Sequence, residues 1–179
     1  MTLNVQDIVD AKDDEELFGR LSAALAEAFP PELQRSRTRF HAALQAAPRG
    51  LRAMASIYDL DVSMTLDDLA WHFLNHNDER FLQETLSGLG ELEAFEAEEL
   101  FSSAWAIVKP YLPEIRKKDW NVEEPHAYLD QTGIQSKIDP LSEKMWAICD
   151  TCGKFGLMQY WLTYARNHPK GCVKGSCSD

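Results

Sequence analysis

Residues 51–80 read LRAMASIYDLDVSMTLDDLAWHFLNHNDER, and the spacing of their apolar side chains decides the fold class. Leu51, Met54, Ala55, Tyr58 and Val62 recur on one helical face, with Ile57 on its flank. At about 100° per residue, Asp61 falls inside that apolar arc between Met54 and Ile57, whereas Asp59 points to the other side. A carboxylate on a buried face must be hydrogen-bonded, paired or protonated. Asp61 is therefore expected to be a structural buried acid that caps a neighbouring helix or accepts from an indole or backbone N–H. The other reading, a poised general base, lacks an evident co-catalyst. Thr65 followed by Asp68 resembles a capping box opening a second helix, with Leu66, Leu69, Ala70, Phe73 and Leu74 on its core face. Asp68, His72 and His76 lie four apart on one flank of it. Two histidines at that spacing can share a metal, as in zinc hydrolases, but a further ligand and a catalytic Glu are not evident.

Toward the N-terminus, the segment Asn4 to Ala11 suits a loose helix, and Asp13 or Asp14 offers the N-cap of the next. Leu17, Leu21, Leu25 and Phe29 form its stripe. Pro30-Pro31 ends it, and a helix is expected from about Pro31 to Ala46, carrying Arg35, Arg37 and Arg39 as the most basic stretch of the chain. Toward the C-terminus, Asp78 caps a helix through Phe81, Leu82 and Leu86 that Gly88 and Gly90 are expected to end. Ala97, Leu100, Phe101, Ala104, Trp105 and Val108 mark a long buried stripe, broken by Pro110 and Pro113. Trp120 to Gln131 is the least periodic stretch, and helix is expected again from Pro140. Gly153 and Gly156 interrupt it before a last helix carrying Leu157, Tyr160, Trp161 and Tyr164. No alternating run reads as a strand. The expectation is an all-α single domain over residues 1–170, a bundle or orthogonal array of about eight to ten helices, with residues 171–179 as a flexible tail.

At 179 residues the chain is long enough to bury a core without a metal or disulfide. Eighteen Lys and Arg against 29 Asp and Glu leave a net charge of −11. That balance disfavours direct contact with nucleic acid or an anionic membrane. It suits either plain solubility or a partner with a basic surface. The segment MTLNVQDIVDAKDDEELF has neither the basic nor the apolar region of a signal peptide. Four cysteines in that context suit a reducing compartment, so a cytoplasmic location is expected.

Cys149-x2-Cys152 and Cys172-x4-Cys177 form the strongest chemical constellation. Free thiols, with no cofactor, are the primary expectation. A structural zinc held by Cys149, Cys152, Cys172 and Cys177 is the alternative. No nucleophile elbow, phosphate loop or dinucleotide fingerprint is present, so no catalytic residue is assigned. Carboxylates at helix starts, Asp13 to Glu16, Asp67 with Asp68, and Glu91 to Glu99, could imitate a row of DNA phosphates.

Ile57-Tyr58-Asp59-Leu60-Asp61, a polar break and the aromatic helix WHFLNH resemble a bacterial family of all-helical proteins whose namesake is a DNA mimic. Ile138-Asp139-Pro140 and Tyr164-Ala165-Arg166-Asn167-His168-Pro169 are similar to its C-terminal part, so the resemblance spans about Phe40 to Pro169. This chain has Val62-Ser63-Met64-Thr65 where the family usually has an Asn-Gly-Gly turn. The resemblance implies an acidic helical interaction protein, with a homodimer among the expectations, that occupies the DNA-binding face of a basic regulator. Asp67, Glu91, Glu93, Glu96, Glu98 and Glu99 are the candidate contact residues.

Overall fold

A computed structural model describes residues 3–34, 36–117 and 124–174, and within them the chain is all-α. The helices are α1 (Val5–Val9), α2 (Asp14–Ala28), α3 (Pro31–Gln34), α4 (Arg37–Ala46), α5 (Arg49–Leu66), α6 (Leu69–Asn75) and α7 (Glu79–Glu91). They are followed by α8 (Phe95–Val108), α9 (Leu112–Ile115), α10 (Glu124–Thr132), α11 (Ile134–Thr151) and α12 (Gln159–Asn167). Short 3-10 turns occupy Lys109–Tyr111, Gly153–Met158 and Pro169–Cys172. No helix among the described residues is long and apolar enough to cross a membrane.

The organising element is α5. It packs on α7, α6, α2 and the turn at Gly153–Met158, so it is buried on more than one side. Its antiparallel partner is α7: Arg49 meets Glu91, Arg52 meets Glu84, and the Thr85 hydroxyl donates to the Ser56 carbonyl at 3.1 Å. Their closest approach is at Gly88, where a Cβ would collide with Ser56 Oγ. Gly88 and Gly90 were expected to end α7, but the helix continues to Glu91. Gly88 is there for backbone proximity rather than for a cap, a contact between helices that local sequence does not announce. Beneath the same interface, nearly buried Glu84 accepts from Arg52 Nε at 2.6 Å and Arg52 Nη2 at 2.8 Å, and from Gln45 at 2.7 Å.

The structure corrects several boundaries. α5 runs through Val62–Thr65 to Leu66, so no turn falls where the resembled family has one. The Thr65 hydroxyl bonds back to the Asp61 carbonyl at 2.9 Å, inside the helix. Asp68 alone caps α6, accepting from the Trp71 N–H at 2.7 Å, and one donor on α11 buttresses it: Gln135 Nε2 reaches Asp68 at 2.6 Å. Leu66, expected in the core, ends α5 and is 74% exposed. Tyr58 is 45% exposed. The helix expected from Pro31 to Ala46 is split into α3 and α4, with Ser36 capping the second. Helix α11 begins at Ile134, before Pro140, which it accommodates internally. Trp120 lies outside the described residues. The expected tail is also shorter: Cys172 and Val173 are buried against the core, and 175–179, including Cys177, lie outside the described residues.

Candidate functional site

Asp59 and Asp61 sit two residues apart on α5 and enter different surroundings. Beside Asp59, α4, the end of α6 and the start of α7 enclose a cleft of about 280 Å³. Phe40, Leu44 and Phe81 supply apolar wall, and Arg37, His41, Asp59, Asn75, His76, Asn77, Asp78 and Arg80 the polar lining. The geometry follows from caps and periodicity. Arg37, Phe40, His41 and Leu44 repeat at the spacing that puts side chains on one face of α4. His76 is the C-cap of α6, and Asp78 is the N-cap of α7, accepting from the Arg80 N–H at 2.9 Å.

Asp59 Oδ2 lies 3.7 Å from His76 Nδ1. Burial pushes the Asp59 carboxyl above its ordinary range, opposed by His76. Burial holds His76 below the ordinary histidine value, with Asp59 opposing and Arg37 reinforcing the effect. His76 stacks on fully buried His72 with ring centroids 4.8 Å apart. Ser63 Oγ donates to the Asp59 carbonyl at 2.7 Å, so its 3.1 Å contact with His72 Nδ1 needs the proton on the imidazole. His72 is thereby the Nδ1–H tautomer, with Nε2 a lone pair that has no hydrogen-bond partner among the described residues. Burial holds its basicity well below the ordinary value of 6.5, and the nearby His76 adds to that. The cleft lining contains no serine, threonine or cysteine. An imidazole backed by a carboxylate can move a proton or hold a ligand there, but the described lining places no side-chain nucleophile beside it.

Asp61 faces away from this group. Its Oδ1 accepts the Leu157 N–H at 2.6 Å, beside Gly156, where the chain takes φ 52° and ψ −141°. Burial raises the Asp61 carboxyl above its ordinary value, and the Leu157 and Met158 N–H groups oppose the rise without reversing it. The hydrolase constellation of Asp61, His72 and His76 is therefore not assembled: Asp59 is the acid that meets His76. Helical rotation of about 200° between the two acids is the reason.

Cys149 and Cys152 lie on the Asp61 side. Burial pushes the Cys149 thiol up to about 12, with the charges of Asp61 and Cys152 adding to it, and burial raises Cys152 as well. Cys172 stands elsewhere: a Cβ on Gly50 would meet its Sγ at 2.8 Å. Gly50 and Asp61 are separated by about 16 Å of α5. The three described cysteines thus share no centre, and the described residues contain no group of three or more His, Cys, Asp or Glu able to hold a metal.

The six candidate contact acids divide in the same way. Asp67 is the C-cap of α5, about 27 Å of helix from the end that carries Arg49. The other acids gather at the α7–α8 junction. Glu91 pairs with Arg49 at 2.5 Å and accepts the Tyr164 hydroxyl at 2.5 Å. Burial, followed by that bond to Glu91, raises the Tyr164 phenol far above its ordinary value. Glu93 has φ 60°, a left-handed conformation uncommon outside glycine, and lies 3.5 Å from His168. Ala94, the N-cap of α8, provides no side-chain cap, so Glu96 and Glu98 supply negative charge to the bare first turn. Glu96, Glu98 and Glu99 make no ion pair among the described residues. Phe95, between them and Glu93, is 65% exposed and shares an open cleft with Glu91, Glu93, Tyr164 and His168.

Sequence reasoning did not single out Phe95, nor Arg37, His41, Asn77 and Arg80 as one lining. An aromatic residue at a helix start among five glutamates was the available signal for the first. The second needed the packing of α4 against α7. The chain matches no family model, no curated protein and no solved structure.

Proposed function

We propose that the protein is an acidic interaction protein that binds a basic partner through the α7–α8 junction, as a DNA mimic engaging a DNA-binding regulator. The observation carrying this reading is Phe95, 65% exposed at the head of α8 with Glu93, Glu96, Glu98 and Glu99 around it in sequence. An exposed aromatic side chain within a charged surround has the composition of an interface anchor with a steering rim. The left-handed Glu93 adds to it, because such conformations persist where the surrounding structure holds them and concentrate at functional sites. The net charge of −11 favours encounter with a cationic surface over nucleic acid itself. Asp67 stands at the far end of α5 from that junction, a second, separate acidic point.

Pull-down from lysate at low and high salt, with duplex DNA as competitor, tests the proposal. Retention of a DNA-binding protein at low salt, released by DNA and lost in a Phe95→Ala, Glu96→Lys, Glu99→Lys variant, is the expected result. Retention indifferent to salt, to DNA and to these substitutions would sink it.

A further inference from the structure

The cleft between α4 and α7 is distinct from the acidic junction, and its lining lacks that junction's excess of acid. Its lining carries two arginines, Arg37 and Arg80, against two carboxylates, Asp59 and Asp78, with His41 and His76 beside them, in a chain with 29 Asp and Glu against 18 Lys and Arg. Both of those carboxylates already face a basic side chain. Asp78 Oδ2 accepts from Arg80 Nη2 at 3.2 Å while its Oδ1 caps α7, and Asp59 faces His76. Arg37 has no carboxylate partner among the described residues, although its charge is felt at both His76 and Asp78. A guanidinium that no carboxylate pairs selects an anion, and its planar fork suits a carboxylate.

The walls define the rest of the ligand. Arg37 and His41 are one turn apart on α4, on the face that also carries Phe40 and Leu44. Opposite, Phe81 packs against His76 with centroids 5.4 Å apart, and lies 6.2 Å from Phe40. Phe40 and Phe81 already touch, so a ligand ring rests against both rather than between them. A volume of about 280 Å³ lies just below the range of drug-sized pockets, and room for one ring and its acid group is what remains. An apolar wall with few convergent polar groups is the usual form of a small-molecule site.

We propose that this cleft binds a small aromatic carboxylate, its acid group on Arg37 with His41 beside it and its ring against Phe40 and Phe81. Asn75 and Asn77 each already commit one amide hydrogen to a backbone carbonyl. Asn75 Nδ2 donates to the Trp71 carbonyl at 3.0 Å and Asn77 Nδ2 to the Leu74 carbonyl at 2.9 Å.

Isothermal titration of the full chain with benzoate, benzyl alcohol, benzylamine and inorganic phosphate tests the assignment. Benzoate is expected to bind saturably with a dissociation constant of about a millimolar, the scale for a ligand of ~10 heavy atoms. Arg37→Ala is expected to weaken it about tenfold, as loss of one charge-assisted contact would, and Arg39→Ala, on the same helix but outside the lining, to leave it unchanged. Arg37 and Arg39 are both exposed, so neither substitution threatens the core, and thermal denaturation checks this. Absence of saturation by about 10 mM benzoate, equal binding of benzyl alcohol, benzylamine or phosphate, or indifference to Arg37→Ala would each overturn it.

Discussion

Asp59 and Asp61 are the same residue type, two positions apart on one helix, and burial raises the pKa of each. They nevertheless do different work. Asp61 is 6% exposed and bonded to the Leu157 backbone N–H, so it pins the kinked turn at Gly156 to α5. Asp59 borders an open cleft and faces a histidine that is itself half-buried, so it has a titratable neighbour and room for a ligand. A buried acid serves structure when its partner is a backbone donor, and becomes available for chemistry when its partner can gain or lose a proton.

That contrast is open to attack by substitution. The largest effect is expected at Gly156, whose backbone conformation belongs to glycine and whose added Cβ would lie 2.5 Å from Asp61 Oδ1. Gly156→Ala should cost about 3 kcal/mol in urea denaturation, combining backbone strain with overpacking. A loss below half of that would mean that the Asp61 contact gives way easily. Asp61→Ala should cost about 2 kcal/mol, because it leaves the Leu157 N–H unsatisfied inside the protein. Asp61→Asn keeps an acceptor and should change stability by less than about 1 kcal/mol.

The pH dependence separates these two variants further. Asp61 has a native value above the ordinary 3.8, so the unfolded chain releases its proton first as pH rises. Its contribution is fully present below 3.8 and is lost as pH climbs through the raised native value. The stability of the wild type relative to Asp61→Asn should therefore fall over that window and level off above it. A difference that grows with pH instead would show the N–H bonds outweighing burial.

On the cleft side, Asp59→Asn should cost under about 1 kcal/mol, since its pair with His76 is partly open to water. Its clearer signature is on His76: Asp59 opposes the depression caused by burial, so the variant should titrate at lower pH in histidine NMR. An upward shift would contradict the pairing. The smallest effect is expected from Arg166→Ala, which removes an exposed bridge to Asp14 at 2.8 Å and should cost about 0.5 kcal/mol or less.

The division between legible and illegible features follows from the range of the forces involved. Leu17, Leu21, Phe73, Phe101 and Ala104 reach the core because apolar spacing along a helix is a local pattern. Asp13 and Asp78 cap helices because a cap is chosen within three residues. Boundary errors arose where tertiary contacts overrode local signals. Thr65 and the residues before it stay helical because α5 is enclosed by neighbours, and Pro140 is absorbed within α11, whose opposite side packs on α8. The inward placement of Asp61 was readable from helical rotation, but its donor lies 96 residues downstream.

By itself, the sequence determined an all-α chain of strongly negative charge, most of the helical stripes that face inward, and the divergence of Asp59 from Asp61 around α5. Those properties depend on residue spacing and summed charge, which need no neighbours. Only the tertiary structure decided that Asp61 meets Leu157, that Asp59 meets His76 beneath a cleft, that Arg37 is left without a carboxylate, and that Cys172 stands apart from Cys149 and Cys152. Each of these depends on which distant residues are brought together or kept apart, and that is chosen by the packing of whole helices rather than by any local pattern.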